Sequence, residues 1–391
     1  YLKVKTVDTA RRAVVIEPPQ SGYGYKKGQR FRFLNILEEL DRPGEYYVDR
    51  KSDMLYVWPP EEAAQKVATV SLLTEPLIVF RNTSHIRMIG LTIEGGRSDG
   101  VVLQGGEGVL LAGCTIRNLG GAAVRMGGGR NHRVQSCNLG HLGDGGILIE
   151  GGSRRTLTPA GHLADNNHIH DYSRWVRTYR VALRLSGVGL RASRNYIHDA
   201  PHSGIIYSGN DHVIELNELA NLCLDTGDVG AIYTGRDWTA RGTQLRFNHI
   251  HHLGGLNMGS NAIYLDDLAS GQTIHGNLIH DVWRAMMIGG GRDNVVENNI
   301  FADYKIGIPL DARGIGWSRR LIEGRQGSWD MFGRLESVPY NKPPYSTKYP
   351  QLPNILNESP LEPKDNQIIG NIFIGEPWLD PRGFELAEAE Q

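Results

Sequence analysis

The chain has 391 residues, with 42 lysine or arginine against 43 aspartate or glutamate residues, so its formal net charge is -1. This balance gives no electrostatic reason to expect a nucleic-acid partner. No apolar run reaches the length of a membrane span, so no membrane partner is expected. Three cysteines are too few for a disulfide framework.

Residues 1–78 predict a small β module. The runs Glu45–Val48 and Met54–Trp58 alternate polar and apolar side chains and are joined by a short polar turn, which is typical of a β-hairpin. Two interpretations of the module stay open. It flanks or caps the following domain, or its aromatic side chains stack against sugar rings; those side chains are Tyr46, Tyr47, Tyr56 and Trp58.

A repeat dominates residues 79–391. The tripeptide Asn-x-Ile/Leu recurs at intervals of 28, 22, 31, 29 and 21 residues, starting at Asn167, Asn195, Asn217, Asn248, Asn277 and Asn298. The same slot continues forward to Asn371 and backward through Cys137 and Cys114, which we interpret as apolar occupants of one inward position. Such a period is the signature of a repeat fold.

Each repeat also holds a second short apolar run, too short for a helix. These runs are Gly100–Leu103, Ala123–Met126, Gly146–Ile149, Ala182–Leu185, Gly204–Tyr207, Gly230–Thr234, Asn261–Leu265, Ala285–Ile288 and Gly307–Leu310. Short period-two strands with glycine-rich and asparagine-rich turns predict an all-β fold, a right-handed parallel β-helix. Its coils stack at ~4.8 Å, so the asparagines form an inward ladder.

The repeat breaks at about residues 315–364. This long insertion contains Trp317 and Trp329 and then a proline-rich run over residues 339–350. We predict a short helix followed by an extended arm. The arm either walls one end of a cleft or covers apolar coil surface, because long insertions of solenoids map to one face and are often functional.

The second runs predict the candidate site. Aligning them places Tyr207, Tyr233 and Tyr264 in one outward column, next to an inward isoleucine column. The column is either a structural aromatic ladder or a sugar-binding surface. Asp266 has the same strand parity as Tyr264, and Asp311 falls in that column two coils later.

Further acidic, basic and aromatic residues surround this column. Asp225 and Asp228 lie in the turn before the Tyr233 strand, and the loop after that strand contains Arg236, Asp237 and Trp238. Paired carboxylates suit glycosidic cleavage, because one protonates the leaving oxygen while the other activates water or attacks carbon. Each aspartate has the alternative role of capping a turn. The open rivals within the pair are Asp237, Asp267 and Asp311.

The triplet Ile-His-Asp occurs at Ile169–Asp171, Ile197–Asp199 and Ile279–Asp281. We interpret it as a polar ladder that follows the asparagine slot, and we predict no metal site, since one would require these side chains to converge. His170 and His202, together with Trp175, are further candidates for the lining of a substrate cleft.

The chain resembles the bacterial parallel β-helix glycoside hydrolases, most closely glycoside hydrolase family 141, over roughly residues 20–375. The segments that carry the resemblance are EELDRPGEYYVDRKSDMLYVWPP, HIRMIGLTIEGG, DTGDVGAIYTGRDWTARGT and NAIYLDD. The resemblance implies hydrolysis of plant-type or microbial polysaccharides or oligosaccharides, with α-L-fucosidase or xylanase activity and no cofactor. It also implies a secreted or periplasmic location, although no signal peptide precedes Tyr1, and we expect a mature or trimmed product.

The resemblance further implies two essential aspartates on neighbouring coils. They match Asp225 and Asp266 here, with Asp228 and Asp267 as the nearest substitutes. The family's N-terminal capping segment and first coil, which precede the β module, have no counterpart in this sequence.

Two other functions stay open. A polysaccharide lyase on the same fold needs a lysine or arginine base and often Ca²⁺, and Arg236 and Arg241 lie beside the acids. A non-catalytic solenoid would bind carbohydrate without cleaving it.

Overall fold

The computed structural model describes residues 2–19, 24–60 and 68–383. The chain divides into two compact units, residues 1–70 and residues 71–391. Within the described residues, no helix is long and apolar enough to cross a membrane.

The described residues of the first unit form two antiparallel strand pairs. Val4–Asp8 pairs with Ala13–Ile16, and Tyr46–Asp49 pairs with Met54–Val57, which confirms the predicted hairpin. A short 3-10 helix spans Leu37–Glu39. Tyr46, Tyr56 and Trp58 are exposed on this unit, and their role as a sugar platform stays a prediction.

The second unit is built from three long parallel sheets, here named sheets A, B and C, which each coil visits in that order. Sheet A contains Ile78–Arg81, Val101–Gln104, Val124–Gly127, Ile147–Gly151, Leu183–Val188, Ile205–Asn210, Val229–Gly235, Ser260–Asp266, Val282–Gly289, Tyr304–Ile306, Ile308–Asp311 and Leu379–Arg382. Sheet B contains Arg87–Ile89, Leu110–Ala112, Arg133–Gln135, Leu163–Asp165, Arg191–Ser193, Val213–Glu215, Gln244–Arg246, Thr273–His275, Val295–Glu297 and Gln367–Ile369. Sheet C contains Thr92–Glu94, Thr115–Leu119, Asn138–Leu142, His168–His170, Tyr196–His198, Glu218–Ala220, His249–His251, Leu278–His280, Ile300–Ala302 and Ile372–Ile374. The predicted all-β parallel β-helix is confirmed.

Inward columns of apolar side chains from all three sheets fill the core, two of them from sheet A. In sheet C the column is fully buried and consists of Ile116, Leu139, Ile169, Ile197, Leu219, Ile250, Ile279 and Phe301. Burying one such side chain contributes about 1.5–3 kcal/mol, so the stacked columns hold the coils together. The three cysteines are free and buried, and Cys114 and Cys137 occupy inward positions as predicted.

The asparagine ladder lies in the turn between sheets B and C. Asn195 shows the pattern: its backbone N–H and its Nδ2 both donate to Oδ1 of Asn217, at 3.0 and 2.9 Å, and Nδ2 also donates to the Ala164 carbonyl at 3.1 Å. Each amide therefore satisfies polar groups of the turn below it. The ladder runs through Asn167, Asn195, Asn217, Asn248, Asn277, Asn299 and Asn371.

The assignment of Asn298 to this ladder is wrong, because its neighbour Asn299 holds the position. Asn298 is exposed and has a left-handed backbone with φ 55. The inward residue of that coil is Phe301, which stacks on Phe373 at 5.0 Å between ring centroids. The repeat unit is thus Asn299-Ile-Phe301, in register with Asn371-Ile-Phe373.

Replacing Asn248 by leucine is expected to lower the free energy of unfolding by about 1–3 kcal/mol, because it strands the buried amide groups of Asn217 and Asn277. Denaturant unfolding measures this loss. Asn341→Leu is the matched control, since Asn341 is exposed, and its effect is expected to stay within about 0.5 kcal/mol. Equal effects of the two substitutions would contradict a stabilising ladder.

The insertion is helical and compact. Its α-helices are Arg319–Glu323, Met331–Glu336 and Tyr345–Lys348, and its 3-10 helices are Gly327–Trp329 and Ile355–Asn357. The predicted extended arm is wrong, because the proline-rich run folds around the third helix. The insertion buries Met331, Leu335, Tyr345 and Leu352 against coil residues that include Trp238 and Leu268. It therefore covers apolar coil surface.

Candidate active site

The candidate site lies where four strands of sheet A end on successive coils. The pairing of Gly235 with Asp266, of Leu265 with Ile288 and of Gly289 with Asp311 defines one column across these strands. Its order is Gly235, Asp266, Gly289 and Asp311. The prediction that Asp311 follows Asp266 by two coils is confirmed.

Arg313 bridges the acids of this column. Its Nη1 donates to Oδ1 of Asp266 and, at 2.8 Å, to Oδ1 of Asp267, while its Nη2 donates to Oδ2 of Asp311 at 2.8 Å. Gly289 gives the guanidinium its space, because a Cβ there would lie 2.6 Å from Cζ of Arg313. A glycine between two aspartates thus lets one cation bridge two coils.

Asp266 is held from two sides. Its Oδ2 accepts a hydrogen bond from the Tyr233 hydroxyl at 2.8 Å, and its Oδ1 accepts from Arg313. Both oxygens therefore act as acceptors, which is the arrangement of an ionised carboxylate. Its side chain is 11% exposed, whereas that of Asp267 is 3% exposed.

Asp267 is a buried support of the site. Arg236 donates to its Oδ2 at 2.6 Å and Arg313 to its Oδ1. Burial, followed by the charge of Asp266, raises the pKa of Asp267 to about 6, against the opposing effect of the two arginines. The backbone is left-handed at Asp267 and Leu268, with φ 38 and 61, and this turn points successive carboxylates at one cation.

The raised pKa of Asp267 predicts a pH dependence of stability. The pKa in the folded chain, about 6, lies above the ordinary aspartate value of 3.8, so this carboxyl favours folding below about pH 4, and the contribution is lost as pH rises through 6. Asp267→Asn cannot ionise. We expect the free energy of unfolding of Asp267→Asn, minus that of the wild type, to increase from pH 5 to pH 8, as measured by denaturant unfolding.

Asp303→Asn is the control for this comparison, because Asp303 is exposed. Its difference from the wild type is expected to be the same at the two pH values. A difference for Asp267→Asn that is equally flat would contradict the raised pKa.

A second acid approaches the column from the preceding turn. Asp228 is exposed, and its Oδ1 accepts a hydrogen bond from the Tyr264 hydroxyl at 3.1 Å. The rings of Tyr264 and Tyr233 meet edge to face at 5.5 Å between centroids. Burial and the charge of Asp266 raise the pKa of both tyrosines, so the phenols stay protonated and donate. Asp228 and Asp266 thus each accept a hydrogen bond from one member of a tyrosine pair.

Asp225 lies three residues before Asp228 in the same turn. Nε of Arg177 donates to its Oδ2 at 2.7 Å, and the Asp225 side chain is 37% exposed. The turn that leads into Val229–Gly235 therefore brings two carboxylates to the edge of sheet A, one beside an arginine and one beside a tyrosine.

The placement of Tyr207 in the outward column is wrong. Ile205 pairs with Ile232 and Ile206 pairs with Tyr233, so the register is shifted by one residue from the predicted alignment. A shift of one residue turns every side chain to the opposite face. Tyr207 is accordingly 2% exposed in the core, where its hydroxyl donates to Oε1 of Gln272 at 3.1 Å.

Asp237 and Trp238 are buried beneath the insertion. Asp237 accepts hydrogen bonds from Arg154 at 2.9 Å and from Thr239. Trp238 is 1% exposed and packs edge to face on Phe332 at 5.3 Å between ring centroids. Trp238 packs against the insertion, and both residues are buried, so they do not line an open cleft as predicted.

The remaining predicted site residues belong to other segments than the Asp266 strand. His170 belongs to sheet C, where its ring nitrogens contact Asp171 and Asn138 at 2.8 and 3.1 Å. His202 is buried against the ring of Tyr179, at 4.9 Å between centroids, and burial lowers its pKa to about 4. Trp175 is exposed in the loop between sheets C and A.

Arg313 and its surroundings were not predicted from the sequence. A cleft of about 420 Å³ adjoins it and is lined by Asp311, Ala312, Arg313, Ile315, Gly316, Trp317, Arg382 and Gly383. Two tryptophans of the insertion meet the site arginines: Cζ of Arg236 lies 4.4 Å from the ring centroid of Trp329, and Cζ of Arg313 lies 5.7 Å from that of Trp317. The position of Arg313 in the sequence, two residues after Asp311, was the signal that could have indicated its place in the site.

The family model for the right-handed β-helix region matches residues 76–174 and 181–318. The chain belongs to this right-handed β-helix family. Among solved structures, this right-handed β-helix is similar to a protein named glycoside hydrolase, with 17% sequence identity and a TM-score of 0.52 over 68% of this chain and 57% of that chain. The likeness shows a shared fold, and this chain spans little more than half of that protein. A search of curated proteins found no match.

Proposed function

We propose that this right-handed β-helix is a glycoside hydrolase whose active site is the carboxylate column at the edge of sheet A. The observation that carries the proposal is Asp266, a carboxylate whose side chain is 11% exposed and is held by Tyr233 and Arg313, together with the exposed carboxylate of Asp228, which accepts from Tyr264. Two positioned carboxylates of unlike surroundings are what glycosidic cleavage needs. The solved β-helix named glycoside hydrolase supports this fold as a scaffold.

Asp266 is the base or nucleophile in this proposal, because both of its oxygens accept hydrogen bonds. The proton donor comes from the turn that contains Asp225 and Asp228. Asp228 is favoured, since it is exposed and contacts Tyr264, whereas Asp225 contacts Arg177. Asp267 supports the site from below, because its burial keeps it from a substrate.

The placement of the pair also bears on stereochemistry. Asp228 and Asp266 accept hydrogen bonds from the hydroxyls of two different tyrosines, whose ring centroids are 5.5 Å apart. Acids held by separate partners on neighbouring coils suit the ~6.5–9.5 Å separation of inverting enzymes better than the ~5–5.5 Å of retaining ones. We therefore propose an inverting hydrolase.

The substrate in this proposal is a plant-type or microbial polysaccharide or oligosaccharide, with α-L-fucosidase-like or xylanase-like activity following from the family resemblance. The tryptophans beside Arg236 and Arg313 suit sugar rings. Secretion or a periplasmic location accompanies such a substrate and stays a prediction.

A lyase is less favoured because the arginines it would use are engaged. Arg241 is buried and paired with Asp293 at 2.7 Å, and Arg236 donates to Asp267 and to Ser328. An arginine so paired is a poor general base.

A polysaccharide panel tests the proposal. We expect new reducing ends from a neutral glycan such as xylan or a fucosylated oligosaccharide. Unsaturated, ultraviolet-absorbing products from a uronate polymer would replace the hydrolase by a lyase. Binding of a glycan without any cleavage across the panel would replace it by a carbohydrate-binding solenoid.

A further inference from the structure

The outer face of sheet C carries histidines on neighbouring coils. These histidines are not part of the carboxylate column, which lies on sheet A. The strands His249–His251 and Leu278–His280 pair in parallel, with His251 opposite His280. Ile250 and Ile279 point inward and are fully buried. Alternation therefore puts His249, His251 and His280 on the outer face together.

The three imidazoles converge, which the sequence analysis did not predict. Nε2 of His249 and Nε2 of His280 are 3.0 Å apart, and the rings of His251 and His280 stack at 5.2 Å between centroids. One ligand nitrogen from each of the three lies within 4.8 Å of the other two. Nε2 of His251 is buried and faces Oε1 of Glu218, and its Nδ1 lies 2.6 Å from Nδ1 of His252.

We propose that His249, His251 and His280 form a binding site for a divalent transition metal ion, with Zn²⁺ as the best-suited ion. Imidazole nitrogens bind Zn²⁺ at ~2.0–2.1 Å in a tetrahedral arrangement, and Ca²⁺ and Mg²⁺ prefer oxygen ligands. Glu218 lies on the preceding coil with Oε1 3.4 Å from Nε2 of His251. It completes the set as a fourth ligand or as an acceptor for a bound water.

The electrostatics of the cluster suit a metal ion. Burial, followed by the neighbouring imidazoles, lowers the pKa of His249. Burial also lowers the pKa of His251, against a raising effect of Glu218. A lowered pKa favours neutral imidazole, which is the form that binds metal. A bound ion would join two coils that are otherwise held by the backbone ladder and the core.

A second histidine cluster on the same sheet provides a matched control. Nε2 of His168 and Nε2 of His198 are 2.6 Å apart, but the third imidazole, His170, already contacts Asp171 and Asn138 through its two nitrogens. Nδ1 of His198 likewise contacts Asp199 at 2.7 Å. This cluster offers a pair of nitrogens without a third, so we expect it to bind Zn²⁺ weakly.

The experiment uses the full chain without a histidine tag, freed of metal by a chelator and titrated with ZnCl₂ by calorimetry at pH 7.5. We expect one Zn²⁺ per chain and at least a tenfold loss of affinity in His280→Gln, with His198→Gln unchanged. Ca²⁺ and Mg²⁺ are expected to give no heat of binding. Absence of Zn²⁺ binding by the wild type, or an equal loss in His198→Gln, would overturn the proposal.

Melting temperatures and activity measurements distinguish a metal site from a purely structural role of the histidines. The melting temperature of the wild type is expected to rise with Zn²⁺, and that of His280→Gln is expected not to respond while its metal-free value stays near that of the wild type. If His280→Gln fails to fold, His249→Gln takes its place in the same titration. Polysaccharide cleavage is expected to survive chelation, because the acids of sheet A need no metal. A loss of cleavage on chelation would place the ion in the proposed active site.

Discussion

Asp266→Asn is expected to lower kcat/KM on a cleaved polysaccharide by at least ~10²-fold, the scale of losing a general base or acid. Asparagine fills the same space and still accepts from Tyr233 or Arg313, but it can neither take a proton nor attack carbon. Because Arg313 keeps Asp267 and Asp311 as partners, the melting temperature is expected to change by only a few degrees. Initial rates and thermal unfolding measure the two effects.

Three companion substitutions locate the rest of the pair. Asp228→Asn is expected to be as damaging as Asp266→Asn, and Asp303→Asn, an exposed control, is expected to be neutral. Equal damage by Asp225→Asn, with a harmless Asp228→Asn, would move the proton donor three residues back within the same turn. Full activity of Asp266→Asn would remove the carboxylate column from the mechanism.

Arg313→Met is expected to lower the free energy of unfolding by about 3–5 kcal/mol at pH 8, since it leaves Asp266, Asp267 and Asp311 close together without their shared cation. The loss is expected to be smaller at pH 5. The direction follows from the sign of the coupling: removal of a cation raises the pKa of each neighbouring carboxyl, and protonation at low pH then relieves their repulsion. Denaturant unfolding at the two pH values measures both losses.

Arg319→Met is the matched control for Arg313→Met. Arg319 is an exposed arginine that pairs with Glu323 one helical turn away at 2.8 Å, and such pairs contribute ~0.3–0.5 kcal/mol. If Arg313→Met lowered the free energy of unfolding no more than this control does, the Arg313 bridge would contribute little to stability.

The fold could be predicted because every coil of a solenoid is held by the same kinds of contact. The asparagine ladder and the inward apolar columns recur in the sequence, so each coil supports the interpretation of the next. The errors came where two residues competed for one position. Asn298 and Asn299 are adjacent, and the hydrogen bonds of Asn299 with Asn277 and Asn371 decide between them.

The same limit explains the error at Tyr207. Gly204–Tyr207 and Gly230–Tyr233 share the pattern Gly-x-Ile-Tyr, which suggests a common register, yet Ile206 lies opposite Tyr233. A one-residue shift leaves the pattern unchanged and reverses the faces. The outward role of Tyr233 and Tyr264 was predictable, whereas the inward role of Tyr207 depended on pairing between coils.

The parts of the site that escaped prediction depend on contacts between distant segments. Arg313 lies two residues beyond a strand. Its guanidinium occupies the space beside Gly289, which lies between two aspartates of the column, and this placement depends on the register of the coils. The histidine triplets indicated a column on sheet C. Whether their nitrogens converge depends on rotamers and register, which differ between the cluster of His249 and that of His168.

The most direct test of the carboxylate column as a hydrolytic site is cleavage of an accepted glycan in ¹⁸O-labelled water, followed by mass spectrometry of the products. Hydrolysis breaks the glycosidic bond by adding water, so we expect one ¹⁸O at the new reducing end for the wild type, and at least ~10²-fold less labelled product for Asp266→Asn over the same time. Unlabelled, unsaturated products, or labelled product formed equally fast by Asp266→Asn, would contradict the assignment.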